Sequence, residues 1–181
     1  MASMSLSPNE RNAVGECRSR VRRLSAFFAA NAPPESDEPQ DWLAYLARFK
    51  DELGNVNNDL GLFATLVAED YLVRVMDVRP FDAAAKPQGA PGLDIDERTK
   101  SGDRVIAEIK TTHPYTQGDL GAQQASTFEK DPKKLAREAA PHKFFFLTDA
   151  ATFAVMRKPK YRNMFKGVRI VLLPSGEEIA A

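Results

Sequence analysis

The sequence contains few of the residues that mark several common kinds of site. Its 181 residues include one cysteine, Cys17, and two histidines, His113 and His142. A single cysteine excludes an internal disulfide framework and the zinc modules that need several cysteines. The histidines stand in different contexts without the spacing of metal ligands. The sequence therefore argues against catalysis or metal binding that depends on histidine.

The sequence also lacks an excess of one charge and any long apolar run. It has 25 basic and 25 acidic residues, so bulk charge does not indicate a polyanionic partner, and nucleic-acid binding would depend on local patches. No apolar run approaches the roughly 20 residues of a membrane span, and the amino terminus has no signal-peptide pattern. We therefore expect a cytoplasmic protein that does not bind a membrane.

The apolar content is sufficient for one well-packed domain. Hydrophobic residues make up 43% of the chain, which at this length favours one domain over two. Helical spacing of apolar residues predicts a helix over about 9–31, a second that ends near Gly54, and a third over about 58–76. We predict a helical extension, residues 1–57, packed on a core of residues 58–181. The apolar residues predicted to face inward from the first two helices are Val14, Cys17, Val21, Leu24 and Phe28, then Trp42, Leu46, Phe49 and Leu53.

The third predicted helix carries a carboxylate within its apolar stripe. Glu69 lies on the same face as four apolar residues, Leu62, Leu66, Val73 and Met76. Burying a carboxylate costs several kcal/mol, about 3 or more, unless a cation or donor compensates it. Either Glu69 is buried beside such a partner, or it lies at the edge of the stripe and reaches solvent.

The segment after this helix predicts a β-hairpin. Residues 92–96 and 105–110 alternate in the manner of strands, and the polar residues 100–103 between them are typical of a turn. The period of two places Asp94 and Asp96 on one side of the first strand.

The second strand of this hairpin carries two further charges. Glu108 and Lys110 share one of its sides. Carboxylates and a lysine would thus converge on one face, which is the arrangement that a divalent cation and a phosphate group require. The alternative is an ordinary solvated hairpin with cross-strand charge pairs, each of which adds a few tenths of a kcal/mol, about 0.3.

The remaining pattern predicts an α/β fold. A helix begins at Asp119, and Asp131-Pro132 either kinks it or starts a new helix with Asp131 as the cap. A continuous apolar run over 143–148 predicts an interior strand. A helix over 152–156 and a last strand over 168–173 complete the order.

Pro91-Gly92-Leu93-Asp94, fourteen positions before Glu108-Ile109-Lys110, resembles the PD-(D/E)xK motif of the restriction-endonuclease-like nucleases. The order of elements from about Asp59 to Leu173 is similar to their αβββαβ core, which has a mixed central sheet. The residue before Asp94 is Leu93, so the literal Pro-Asp pair is absent. The resemblance implies hydrolysis of DNA phosphodiester bonds with Mg²⁺, for which Mn²⁺ is an expected substitute.

The resemblance implies a role for each residue of the motif. Asp94 and Glu108 would bind the metal ion together with the backbone carbonyl of Ile109, and Glu69 would be an outer ligand through water. Lys110 would orient or help to deprotonate the attacking water and offset negative charge.

Two assignments stay open. Asp96 lies on the same face as Asp94 and competes with it as the ligand, although the loop before Asp94 better resembles the motif. Gln124 and Phe128 are similar in position to the glutamine and tyrosine of the RecB-like branch, with the tyrosine replaced. We therefore expect Gln123 or Gln124 to face the site.

Local basic runs are the candidates for DNA contact, because phosphate contacts give salt-dependent affinity even to a neutral protein. We interpret the chain as a magnesium-dependent DNA endonuclease, of the type II restriction or a related defence kind, and expect that it works as a homodimer if it cuts two strands together. The alternative is a non-catalytic module for DNA binding or protein assembly on the same fold. The candidate DNA contacts are Lys133, Lys134, Arg157, Lys158, Lys160 and Arg162.

Overall fold

The structure, a computed structural model that describes residues 5–87, 89–116 and 118–179, begins with three helices. The chain divides into two units, Met1–Asp59 and Leu60–Ala181. The predicted packing of residues 1–57 on the core stays a prediction. None of the helices in the described ranges combines the length and apolar content that crossing a bilayer requires. The first three helices are α1 (Pro8–Ala30), α2 (Pro39–Leu53) and α3 (Val56–Met76).

Helices α1 and α2 meet through aromatic rings. Ser7 caps α1 by accepting a hydrogen bond from the backbone N–H of Glu10 at 3.1 Å. The ring of Phe27 lies 5.5 Å from that of Tyr45, and both residues are buried. Four residues that the helical spacing placed on the inward faces, Val21, Phe28, Trp42 and Leu46, are instead exposed. The Phe28 ring packs at 5.7 Å against that of Phe49 of α2, but only Phe27 and Tyr45 are buried in this contact.

A five-stranded mixed sheet forms the centre of the second unit, in the order β1-β2-β3-β4-β5. Strands β2, β3 and β4 run parallel, and β1 and β5 pair antiparallel at the two edges. This confirms an α/β fold with a mixed sheet. The strands are β1 (Ile95–Arg98), β2 (Arg104–Lys110), β3 (His142–Leu147), β4 (Arg169–Leu172) and β5 (Glu177–Ile179).

The structure extends one strand beyond the prediction, since β5 follows the strand that we expected to be the last. Gly176, with a φ of 75°, closes the turn between β4 and β5, and its N–H donates to the carbonyl of Leu172 at 2.8 Å. A strand of three residues after such a turn is too short to show a period of two.

The hairpin predicted before β3 is confirmed. In the turn between β1 and β2, the Thr99 N–H donates to the Asp103 carbonyl at 2.9 Å. The first strand begins later than the pattern suggested, so Asp94 lies directly before β1 rather than within it. Before the hairpin, Val78 forms an isolated antiparallel bridge to Thr99.

Helices cover both faces of the sheet. Helix α3 contributes Ala68, Tyr71 and Leu72 to a core that also contains Phe144 and Phe146 of β3. The second core, on the other face, contains apolar residues of the helices that connect β2 to β3 and β3 to β4. Because β3 is buried on both faces, its sequence reads as an unbroken apolar run. The covering helices are α4 (Ala122–Phe128), α5 (Lys130–Arg137), α6 (Ala150–Met156) and α7 (Pro159–Arg162), followed by a 3₁₀ turn, Asn163–Phe165.

One polar network ties α3 to the far edge of the sheet. Arg169 of β4 donates to both carboxylate oxygens of Glu178 of β5, at 2.6 and 2.9 Å, and its guanidinium lies 4.8 Å from the centre of the Phe144 ring. The Tyr71 hydroxyl of α3 donates to the same carboxylate. The bonds from Arg169 lower the pKa of Glu178, so the ionised form stabilises the fold.

We expect Glu178→Gln to lower the free energy of unfolding by about 1 kcal/mol at pH 7, a small value because solvent screens this partly exposed pair. A lowered pKa in the folded state contributes stability above the ordinary Glu value of about 4.5, and loses it as the pH falls through the folded value. Urea titrations of both proteins from pH 7 to pH 3 should therefore show the difference shrink. A difference that grows on acidification would contradict this account.

Candidate active site

The register of the hairpin brings Asp94 beside Glu108. Ile95 pairs with Ala107 across the antiparallel ladder, so the preceding residue, Asp94, faces the next residue of β2, Glu108. The Asp94 Oδ2 accepts a hydrogen bond from the Ile109 N–H at 2.8 Å. Asp94 is exposed, whereas Glu108 is only 4% exposed. The structure thus places the two predicted carboxylate ligands and Ile109 together at the open end of the hairpin.

Glu108 is a buried carboxylate with one cationic partner. Its Oε1 lies 2.5 Å from Nζ of Lys134, which α5 supplies. Burial raises the pKa of Glu108 to about 7, and the negative charges of Asp94 and Asp131 act in the same direction, while Lys134 opposes the shift. This carboxylate therefore takes up a proton more readily than an exposed glutamate does.

Lys110 has a matching partner on the same helix. Its Nζ lies 2.9 Å from Oδ2 of Asp131, which is also buried. Strand β2 and helix α5 are therefore joined by two ion pairs, Glu108 with Lys134 and Lys110 with Asp131. The acid is on the strand in the first pair and on the helix in the second. We call Asp94, Glu108, Lys110, Asp131 and Lys134 the charged cluster.

The sequence predicts other roles for Asp131 and Lys134 of the charged cluster. Asp131 was an alternative helix cap, but α5 begins at Lys130 with Glu129 as its capping residue. Lys134 was a candidate DNA contact. One feature of the sequence could have indicated these partners. Asp131 and Lys134 lie one helical turn apart, and their charges are complementary to those of Lys110 and Glu108.

Asp96, the competitor of Asp94, has a partner of its own. Arg104 donates to both of its carboxylate oxygens, at 2.8 and 2.7 Å. These bonds lower the pKa of Asp96. Arg104 also lies 3.0 Å from Glu138, so Asp96 belongs to a surface ion-pair network, whereas Asp94 lies beside Glu108.

Of the two alternatives for Glu69, the structure shows the buried one, with 2% of its surface exposed. Its Oε1 accepts a hydrogen bond from the Phe81 N–H at 2.9 Å. Helix α3 packs on one face of the sheet, and Glu108 contacts α5 on the other. Glu69 therefore belongs to a different layer from α5, and its role as an outer metal ligand stays a prediction.

The two glutamines of α4 differ in their surroundings. Gln124 is buried, donates through Nε2 to the His113 carbonyl at 2.8 Å, and accepts through Oε1 from the Tyr115 N–H at 2.9 Å. It thus holds the loop that follows Lys110. Gln123 is exposed.

All four lysines among the predicted DNA contacts pair with an acid, and Lys134 does so with Glu108. Lys133 of α5 lies 3.1 Å from Glu129, the capping residue of that helix. Lys160 and Lys158 lie 2.7 and 3.6 Å from Asp119. The bond from Lys160, together with that from the Tyr161 hydroxyl, lowers the pKa of Asp119. These pairs reduce the charge that the lysines would offer to a phosphate.

A basic surface pocket lies elsewhere in the second unit. Its volume is about 360 Å³, and its lining includes Arg157, Arg162, Asn163 and Lys166. Arg157 pairs with Glu177. Within the part of the chain that the structure describes, no acidic group lies within 4 Å of the charged atoms of Arg162 or Lys166. These two residues are therefore the more available cations of this run.

No protein-family model, curated protein or solved structure matches this chain. In residues 5–87, 89–116 and 118–179, no three His, Cys, Asp or Glu side chains converge so that they alone could hold a metal ion. The candidate donors are therefore the carboxylates of Asp94 and Glu108 and the backbone carbonyl of Ile109. Oxygen donors of this kind suit Mg²⁺, which usually takes one or two carboxylates and completes its shell with water.

We expect Glu108→Gln to raise the free energy of unfolding at pH 8 by about 1 to 2 kcal/mol. The expected gain is small because solvent reaches Lys134 and screens the charges. Because the pKa of Glu108 is raised on folding, its stabilising contribution is complete below the ordinary value of about 4.5 and is lost as the pH rises through about 7. The glutamine side chain of the variant does not ionise, so the variant does not lose stability as the pH rises through this range.

Denaturant titrations of both proteins between pH 4.5 and 8.5 measure the effect. Glu129→Gln is the control, since Glu129 forms an exposed pair with Lys133 of α5. A lower stability of Glu108→Gln than of the unmodified protein at pH 8 would show that burying the Glu108 charge does not destabilise the fold.

Proposed function

We propose that this protein is a magnesium-dependent DNA endonuclease of the PD-(D/E)xK type, built on a restriction-endonuclease-like core. A type II restriction or related defence enzyme is the kind that we expect. The observation that carries the proposal is the position of Asp94 beside Glu108 and Ile109, with Lys110 two residues further along the same strand.

The architecture supports this proposal. A mixed sheet presents the hairpin at one edge, α3 covers one face, and the α4–α5 connection covers the other between β2 and β3. The candidate residues lie where β2 ends and its connection begins. In open α/β sheets, ligands bind outside the carboxyl ends of the strands, and Glu108 and Lys110 lie at the carboxyl end of β2.

The charged cluster fits a divalent cation. It contains three carboxylates and two ammonium groups, so the fully ionised cluster has an excess negative charge. Burial, and to a lesser extent this crowding, raises the pKa of Glu108. Asp94, Glu108 and the Ile109 carbonyl would hold the ion, with Glu69 through water. When bound, Mg²⁺ or Mn²⁺ supplies Lewis acidity and an activated water.

The protein's own groups would then position the DNA phosphate and the water. Lys110, on the same face of β2 as Glu108, would place its ammonium group beside the phosphate and offset the charge that develops there. The backbone N–H of Ile109 fixes the orientation of Asp94. Gln124 holds the loop after Lys110 through the bonds to His113 and Tyr115.

A second function has one observation in its favour. Glu108 and Lys110 each have a partner of opposite charge in α5, so the motif could serve to dock this helix. The protein would then be a non-catalytic module for DNA binding or protein assembly. Such a module has no need of a divalent ion, and calorimetry with Mg²⁺ and Mn²⁺ separates the two functions.

We expect Asp94→Asn to reduce DNA cleavage on the order of 100-fold or more, because the amide removes the charge of a proposed metal ligand. Asp96→Asn is the matched comparison and should cleave like the unmodified protein, since Asp96 is engaged by Arg104. The assay follows nicking and linearisation of supercoiled plasmid with Mg²⁺, with Mn²⁺ and with EDTA.

Loss of cleavage in Asp96→Asn but not in Asp94→Asn would assign the ligand to Asp96. Cleavage that persists in EDTA would contradict the proposed chemistry.

We expect the double substitution Arg162→Ala and Lys166→Ala to reduce the salt dependence of DNA binding. The slope of log affinity against log salt should become shallower by about 0.9 for each phosphate that the protein no longer neutralises. The same double substitution at Lys158 and Lys160 should change the slope less, because Asp119 already offsets these charges. Fluorescence anisotropy with a labelled duplex at several salt concentrations gives both slopes, and equal slopes would contradict a role for the basic pocket.

A further inference from the structure

Lys134 reaches from the protein surface to a buried carboxylate. Its side chain is 38% exposed, while its Nζ lies 2.5 Å from Oε1 of Glu108. The same Nζ donates to the backbone carbonyl of Gly92, two residues before Asp94. One ammonium group therefore joins α5, the loop before β1 and the buried carboxylate of β2.

The charges around Glu108 explain why a cation is needed there. Asp94 and Asp131 both add negative potential at this carboxylate, and burial removes the water that would screen it. Lys110 is the other ammonium group of the cluster, and it lies beside Asp131. Lys134 thus has the position at Glu108 that a metal ion would need.

We propose that Lys134 is an exchangeable counter-ion of Glu108, which neutralises this carboxylate in the metal-free protein and is displaced from it when a divalent cation binds. This inference rests on the proposed function, because it takes Glu108 to be a metal ligand. It makes Lys134 a positioning residue that preserves the site before the ion arrives.

The local structure allows the lysine to move without the helix. Lysine has a flexible four-carbon stem, and the exposed part of this one can turn its ammonium group into solvent. Helix α5 stays attached through Pro132 and Leu135, which are buried, and through the pair between Asp131 and Lys110. Exchange therefore requires a change of the Lys134 rotamer, which also breaks the bond to the Gly92 carbonyl, and it requires no movement of α5.

The displaced ammonium group would lie at the exposed margin of the cluster. A phosphate group near the bound ion would attract it, which connects the exchange to the predicted role of Lys134 as a DNA contact. Arginine at this position would keep the charge and hold the carboxylate with a forked, more rigid donor, so it would resist exchange.

The first test measures the affinity for Mn²⁺ without DNA. By isothermal titration calorimetry, Lys134→Met should bind Mn²⁺ about tenfold more tightly than the unmodified protein, which corresponds to about 1.4 kcal/mol for the loss of a competing cation. Lys134→Arg should bind no more tightly than the unmodified protein. Lys133→Met, the control next to it, should bind equally, because Lys133 pairs with Glu129 instead.

The second test uses the unmodified protein, in case Lys134→Met does not fold. Acetylation of lysines by an amine-reactive reagent, followed by peptide mass spectrometry, should label Lys134 faster with Mn²⁺ than without it. The labelling of Lys133 should not change. Faster labelling of Lys134 in the loaded protein supports displacement, and unchanged labelling overturns it.

The outcomes separate this inference from the proposed function. If the unmodified protein and Lys134→Met bind Mn²⁺ equally, and Lys134 labelling does not respond, the exchange is wrong while the metal-dependent function stands. If neither protein binds Mn²⁺ or Mg²⁺, the proposed function fails and the exchange fails with it. Weaker binding by Lys134→Met would show that the lysine assists the ion rather than competing with it, and also overturns the inference.

Discussion

The pairing of a buried carboxylate with a lysine of the covering helix is the interaction on which the site depends. Glu108 projects from β2 toward α5, where only a cation or a proton makes its burial tolerable. Lys134 supplies the cation, and the reversed pair between Lys110 and Asp131 repeats the interaction two residues further along the strand. The two pairs set how α5 lies on the sheet, because a slip of either element would bring like charges together.

The same interaction connects stability to the proposed chemistry. Because burial raises the pKa of Glu108 to about 7, an ionised carboxylate at this position destabilises the folded protein at neutral pH. Proteins commonly retain such unfavourable groups where a ligand needs them. In the proposed function, a divalent ion would relieve the crowding of Asp94, Glu108 and Asp131, and Lys134 offsets part of it without the ion.

Local patterns predicted much of the fold and failed where packing decides. The hairpin and the interior strand β3 follow from alternation and from an unbroken apolar run, and both are confirmed. The strand β5 was missed because three residues carry no measurable period. In α1, the spacing favoured Phe28, whereas the seam with α2 buries Phe27 against Tyr45. Helical spacing defines a broad apolar face, and the neighbouring helix selects which part of it is covered.

The sequence by itself determined that Glu108 and Lys110 share a strand face and that Glu69 lies in an apolar stripe, since both follow from backbone periods. Only the tertiary structure decided which partners these charges have. It placed Asp94 beside Glu108 and Asp96 beside Arg104, and it brought Asp131 and Lys134 from more than twenty residues further along the chain. Ion pairs between layers depend on how a helix docks on a sheet, and a backbone period does not encode that geometry.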